Sequence, residues 1–194
     1  MSEIIYIASF DLGKKNFAFC IEEFNKTEIM CIKNIPNKSR YNEDGTPTPK
    51  MQEILDQVCS NGKIILYKNL DLTENCNPKI KLDPETFHNM IDALDKYVDF
   101  WDKCSVFVIE EQMSFGKKIN KMAMKLAQHC YSYFTFKYGR YKTIIEFPAY
   151  YKTQILGAQK IEGKPYKSGK TRYKAMEKSQ RKKFMPYSRN RRTS

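Results

Sequence analysis

The sequence predicts an α/β protein built on a mixed sheet, antiparallel in its first strands and parallel afterwards, with helices flanking it. Three observations predict this. The stretches at residues 4–11 and 105–110 are nearly continuous apolar runs, the pattern of strands buried on both faces. Segments with apolar residues at helical spacing separate the later strands, and parallel neighbours need such crossovers. Each of the two runs also closes on a carboxylate, Asp11 in one and Glu110–Glu111 in the other. Sheets present chemistry at strand ends, and an acid there seldom serves packing.

The elements follow in order. Residues 4–11 form the first strand, and Gly13 with Lys14, Lys15 and Asn16 makes a turn. "NFAFCIEEF" (16–24) is an antiparallel return strand, and "EIMCIKNI" (28–35) reads as a third. Residues 36–50 are loop, with three prolines and an Asp44-Gly45 turn signal. Met51, Ile54, Leu55 and Val58 recur at helical spacing up to Asn61-Gly62, so 36–62 reads as a loop-rich insertion. "KIILYKNL" (63–70) is a strand whose place in the sheet the sequence does not specify. Asp83 is an N-cap, Pro84 occupies the first helical turn, and Phe87, Ile91, Leu94, Val98 and Trp101 form one apolar stripe.

After the strand at 105–110, a helix over 116–138 carries Ile119, Met122, Leu126, Cys130 and Phe134 on one face. Met124, Tyr131 and Phe136 make it apolar elsewhere too, so it is either deeply buried or shared with a partner subunit. "TIIEF" is a third buried strand, halted by Pro148. Beyond Ile155 and Leu156 lies a basic segment in which 168–183 reads as a helix. Strands first, then helix–strand–helix–strand–helix, is the order of the ribonuclease H-like fold. A core over 1–156 and a basic segment over 157–194 are therefore expected.

Charge is uneven. Residues 157–194 carry 13 Lys/Arg against the two acids Glu162 and Glu177, almost the whole of the net +12. Such a block is either a solvated tail or a surface for a polyanion. In the second reading Tyr150, Tyr151, Tyr166 and Tyr173 stack on unpaired bases, while Lys152, Lys167, Lys170, Arg172 and Lys174 neutralise phosphates. Six cysteines show no CxxC pair and the two histidines lie far from zinc spacing, which argues for reduced, mostly buried thiols. His129 reads as a satisfied helix residue. The N-terminus enters a strand at once and no apolar run approaches a membrane span, so a soluble, intracellular protein in a reducing compartment is expected.

With the strands of Asp11 and Glu110 side by side and parallel, the two carboxylates meet at the carboxyl end of the sheet, where paired acids hold Mg²⁺ or Mn²⁺. Asp11 could instead cap the turn before Gly13. Side chains alternate along a strand, so only one of Glu110 and Glu111 faces the site. Gln112 is either a polar strand end or a partner of Glu110, and Lys14 and Lys15 stand where a phosphate would be held.

"SFDLGKKNFAF", "VFVIEEQ" and "EFPAYYK" with the lysine-rich stretch after it resemble, in order and spacing, the RuvC-like Holliday junction resolvases. The branch resembled is that of poxviruses and other large DNA viruses. The resemblance implies catalytic and metal roles for Asp11 and Glu110, two Mg²⁺ ions per site, branched DNA as substrate and a homodimer through the 116–138 helix. A viral member would work where viral DNA is replicated in the host cell. That family completes its site with two acids on a terminal helix. Here the acids after Glu111 are Glu146, Glu162 and Glu177 alone. Either the chain is a truncated form of a longer protein, or Glu177 substitutes; without those acids, a nucleic-acid-binding module that has lost catalysis is the alternative.

Overall fold

The computed structural model describes residues 3–112, 120–149, 151, 160–165, 167–168 and, as backbone, 172–175. Contacts group the chain into two compact units, Met1–Lys26 with Asn61–Ala149 and Thr27–Ser60 with Tyr150–Ser194.

The first unit holds a five-stranded sheet of β1 (Ile4–Asp11), β2 (Phe17–Asn25), β3 (Lys63–Leu70), β4 (Val106–Glu111) and β5 (Thr143–Pro148), ordered β3-β2-β1-β4-β5. β1–β2 and β2–β3 are antiparallel; β1–β4 and β4–β5 are parallel. This is the ribonuclease H-like topology. The strand over 63–70 takes the outer place beside β2. Gly62 makes its start possible, because a Cβ there would lie 2.6 Å from the Phe24 ring.

Helices α3 (Glu85–Asp95), α4 (Val98–Trp101) and α5 (Lys121–Tyr138) supply the other layer. Ala8, Phe10, Phe17, Phe19, Ile21, Phe107 and Ile109 share one buried sheet face and form a single core with Met90, Leu94, Trp101, Leu126 and Phe134. The Trp101 ring centre is 5.6 Å from Phe10, 5.1 Å from Phe19 and 5.7 Å from Phe134. Edge-on and tilted contacts of this kind add stabilisation beyond area burial.

The expected single helix from residue 84 to 101 is broken at Lys96–Tyr97. Trp101 Nε1 donates to the Leu94 carbonyl at 2.7 Å. An unbroken helix would give that carbonyl to the amide of Val98; here it accepts from the Tyr97 amide at 3.1 Å and from the wholly buried indole. Asp83 caps as expected, its Oδ1 accepting from the Glu85 amide at 2.9 Å. α5 opens with the Asn120 side chain accepting from the Ala123 amide, and Gly139, at φ 55°, closes it. The expected start of this helix, Ile119 included, lies outside the described residues.

Two expectations fail in the second unit. Residues 28–35 are not a strand: α1 (Lys26–Met30) is followed by a 3₁₀ turn, Cys31–Asn34. The sheet edge beside β2 is occupied by β3, so an extended segment there has no ladder to join, and helical turns satisfy its amides locally. Nor is 168–183 helical throughout, since Arg172–Ala175 (β7) pairs antiparallel with Lys160–Gly163 (β6). α2 (Pro49–Asn61) forms as its spacing predicts, with Met51 buried.

Candidate active site at the carboxyl edge of the sheet

The parallel ladder between β1 and β4 runs to the pair Phe10–Ile109. Asp11 and Glu110 are the next residues on the two strands, one step beyond a pair buried in the core. Side chains alternate, so both carboxylates belong to the face opposite Phe10 and Ile109. Adjacent strands lie about 4.8 Å apart, close enough for two carboxylates to share one cation. Asp11 is exposed and Glu110 is half-buried. Glu111 pairs with Pro148 of β5 and shares the face of Ile109, the side on which the helices pack. The structure thus brings Asp11 and Glu110 together and sets Glu111 apart. Gln112 is half-buried just past the end of β4.

The turn after Asp11 is short and closed by the Asn16 amide donating to the Gly13 carbonyl at 3.3 Å. Lys15 is exposed within it, and the Lys14 ammonium donates to the Lys81 carbonyl at 3.0 Å. β3 runs antiparallel to β2, with Leu70 beside Phe17, so it ends at the same sheet edge. The next residue, Asp71, is one the sequence reading missed. Its Oδ1 accepts from the Thr73 amide at 2.9 Å and the Thr73 hydroxyl at 2.6 Å. Those bonds, the hydroxyl first, hold its carboxyl below the ordinary value, and the Lys15 and Lys14 charges add to the effect. An Asp-x-Thr step after an apolar run marks a strand-end turn. The run's place in the sheet was not specified, so nothing set Asp71 beside the lysines.

Glu110 and Asp11 suit a hard cation as oxygen donors, and Mg²⁺ is often held by one or two carboxylates with water and substrate phosphate completing the shell. Among the described residues no group of three or more His, Cys, Asp or Glu side chains is placed to hold a metal. Glu177, Lys152, Lys170 and the side chains of Arg172 and Lys174 lie outside the described residues; Lys167 is described and exposed. β6 and β7 set part of the basic segment in an antiparallel pair, with Glu162 opposite Tyr173 and Ile161 opposite Lys174.

His129 differs from expectation. Its Nε2 is buried without a hydrogen-bond partner among the described residues, and its ring meets Phe87 edge-on at 4.9 Å. Burial pulls its pKa down, His88 adds to this, and a bond with the Phe87 backbone opposes it. Packing between α3 and α5 thus outweighs one imidazole hydrogen bond. The buried thiols are inert: burial raises Cys104 to about 11 and pushes Cys130 up as well. No helix among the described residues is long and apolar enough to cross a membrane.

No family model matches the chain. Among solved structures it is similar to the fowlpox virus Holliday junction resolvase, with 18% identity, 75% of this chain and 63% of that one covered, and a TM-score of 0.37. It is also similar to the yeast mitochondrial Holliday junction resolvase, with 13% identity, 78% and 56% covered, and a TM-score of 0.41. The chain thus spans less than two thirds of either solved resolvase, and likeness this loose adds nothing to what the strand order shows. Two relatives are closer in sequence. Uncharacterized protein 170L of Invertebrate iridescent virus 6 is 34% identical over 94% of this chain and 73% of its own length. Uncharacterized protein 97L of Invertebrate iridescent virus 3 is 30% identical over 82% of this chain and 78% of its own. With that identity over most of both lengths, the chain belongs to the family of iridescent virus proteins that includes 170L and 97L.

Proposed function

We propose that this protein is a divalent-metal-dependent endonuclease that cuts branched DNA, of the Holliday junction resolvase kind. The observation that carries the reading is the placement of Asp11 and Glu110 at neighbouring parallel strand ends, on one face, at the edge where β1, β3, β4 and β5 all terminate. The sequence motifs around both residues resemble those of that family.

Asp11 and Glu110 would hold a Mg²⁺ or Mn²⁺ ion, which when bound supplies a Lewis acid for the phosphodiester. A second ion would need carboxylates beyond this pair, and Glu177 is the candidate in the sequence. Lys14 and Lys15 neutralise the backbone phosphate nearest the carboxylates. The basic residues of 157–194 supply the wider electrostatic footprint, which steers and binds DNA without reading its sequence. A four-way junction has two-fold character, so paired cuts are most simply made by a two-fold dimer. α5 is its candidate interface, because Phe136 on that helix is 95% exposed. The second reading, a nucleic-acid-binding module without catalysis, is favoured by the presence of only two suitably placed carboxylates among the described residues.

Nicking of a four-way junction in Mg²⁺ tests the proposal. Wild type should cut, and Asp11→Asn should lose at least about 100-fold in rate while still binding the junction, because the metal clamp is lost and the cationic surface is intact. Binding without cutting by wild type establishes the second reading; equal cutting by Asp11→Asn removes the site. Sedimentation of the same preparation decides the dimer, which a monomer with and without junction DNA would rule out.

A further inference from the structure

The loop after β3 is clasped to the lysine turn. The Leu72 amide donates to the Lys14 carbonyl at 2.7 Å, and the Leu72 side chain is buried in the core. The Asn89 side chain of α3 donates to the carbonyls of Leu72 (3.0 Å) and Glu74 (2.8 Å), fixing the loop from its other side. Lys14 closes the clasp by reaching the Lys81 carbonyl. Asp71 is carried into this arrangement as an exposed carboxylate whose Oδ1 is locked by Thr73. A fixed negative charge therefore stands beside two lysines, at the sheet edge that also carries Asp11 and Glu110.

We propose that Asp71 is the built-in counter-charge of the Lys14–Lys15 phosphate contact, holding down the attraction of these two ammonium groups for DNA until a substrate phosphate is seated between them. The inference rests on the phosphate-binding role given to the lysines under the proposed function. A core position would not leave Asp71 in water, and a turn needs only the Thr73 bonds, not the adjacent cations. The lysines attract any DNA, because phosphate contacts carry no sequence or branch information. A neighbouring carboxylate lowers that indiscriminate term for every DNA alike. Contacts made only by a correctly seated junction then become the larger share of binding.

The test is the salt dependence of binding to a four-way junction and to a linear duplex of equal length, without divalent cation, using the full chain. Asp71→Asn keeps an oxygen for the Thr73 bonds and removes the charge. It should bind both DNAs more tightly by the same several-fold factor and steepen the slope of log K against log salt by about 1 for each. A merely structural Asp71, whose Thr73 bonds the Asn oxygen still accepts, would leave affinity and slope unchanged. Thr73→Val, which loosens the turn at constant charge, should leave the slope as it is. Lys14→Ala with Lys15→Ala should flatten the slope by about 2 and abolish the Asp71→Asn effect, as coupled neighbours require. If the lysine variant leaves the slope unchanged, the phosphate role itself fails. If it flattens the slope while Asp71→Asn does not steepen it, the counter-charge alone is overturned.

Discussion

The two ends of the sheet use similar residues to opposite effect. At the amino edge of β4 and β5, polar groups are saturated within the protein. The Lys142 ammonium donates to the carbonyls of Trp101 (2.8 Å), Asp102 (2.6 Å) and Cys104 (2.8 Å) and sits 4.5 Å from the Tyr138 ring centre. The Tyr138 hydroxyl donates to Asp102 at 2.8 Å, and that of Tyr133 to Asp95. At the carboxyl edge Asp11, the last residue of its ladder with β2, and Lys15 in the turn after it are exposed. A lysine that holds three carbonyls ties α4, β4 and β5 together; one left in water keeps its charge for a ligand. Saturation, rather than residue type, separates the charges that tie this edge together from those left open to solvent at the other.

That contrast can be broken most forcefully at β4. Glu110→Gln should lower junction cleavage by at least about 100-fold, since it removes half of the proposed metal clamp. Glu111→Gln, on the helix side of the same strand, should stay within about threefold of wild type. A reversed order in single-turnover rates would put the site on the wrong face of the sheet.

At the saturated edge the expected loss is of stability. Lys142→Met keeps the aliphatic stem and removes the ammonium from three carbonyls, of which that of Trp101 keeps the Cys104 amide as donor. Urea unfolding should show a loss of about 1–2 kcal/mol, with DNA affinity unchanged. Unaltered stability, or weakened DNA binding, would erase the distinction between the two edges.

The smallest effect concerns a half-buried imidazole of which one nitrogen, Nε2, has no partner among the described residues. His129 has its folded pKa pulled below the ordinary imidazole value of 6.5 by burial, so the folded state binds its proton less readily than the unfolded chain. Its neutral form therefore contributes stability that is complete above about 6.5 and is lost as pH falls from there through the lower folded value. The melting temperature of wild type should drop more between pH 7 and pH 5 than that of His129→Leu. Parallel pH profiles would show that the imidazole is already solvated in the fold.

What could be read from residues alone was what repeats or terminates locally. Continuous apolar runs marked β1, β2, β4 and β5, Asp83-Pro84 marked the start of α3, and acids at run ends marked Asp11 and the Glu110–Glu111 pair. Alternation said that one of the two glutamates faces the site, but choosing Glu110 took either a family resemblance or the β1–β4 register. Residues 28–35 have a strand's composition and became helical turns because β3, distant in sequence, had taken the only edge beside β2. The helix break at Lys96–Tyr97 falls where the Leu94 carbonyl is shared between the Tyr97 amide and a buried indole from the next turn of chain. Asp71 acquired its neighbours only when β3 ended beside the β1–β2 turn. Periodicity, capping and charge runs are set by nearby residues and survive in the linear order. Which edges are free, which buried donors must be satisfied and which charges meet are settled between segments far apart in the chain, so only the folded structure decides them.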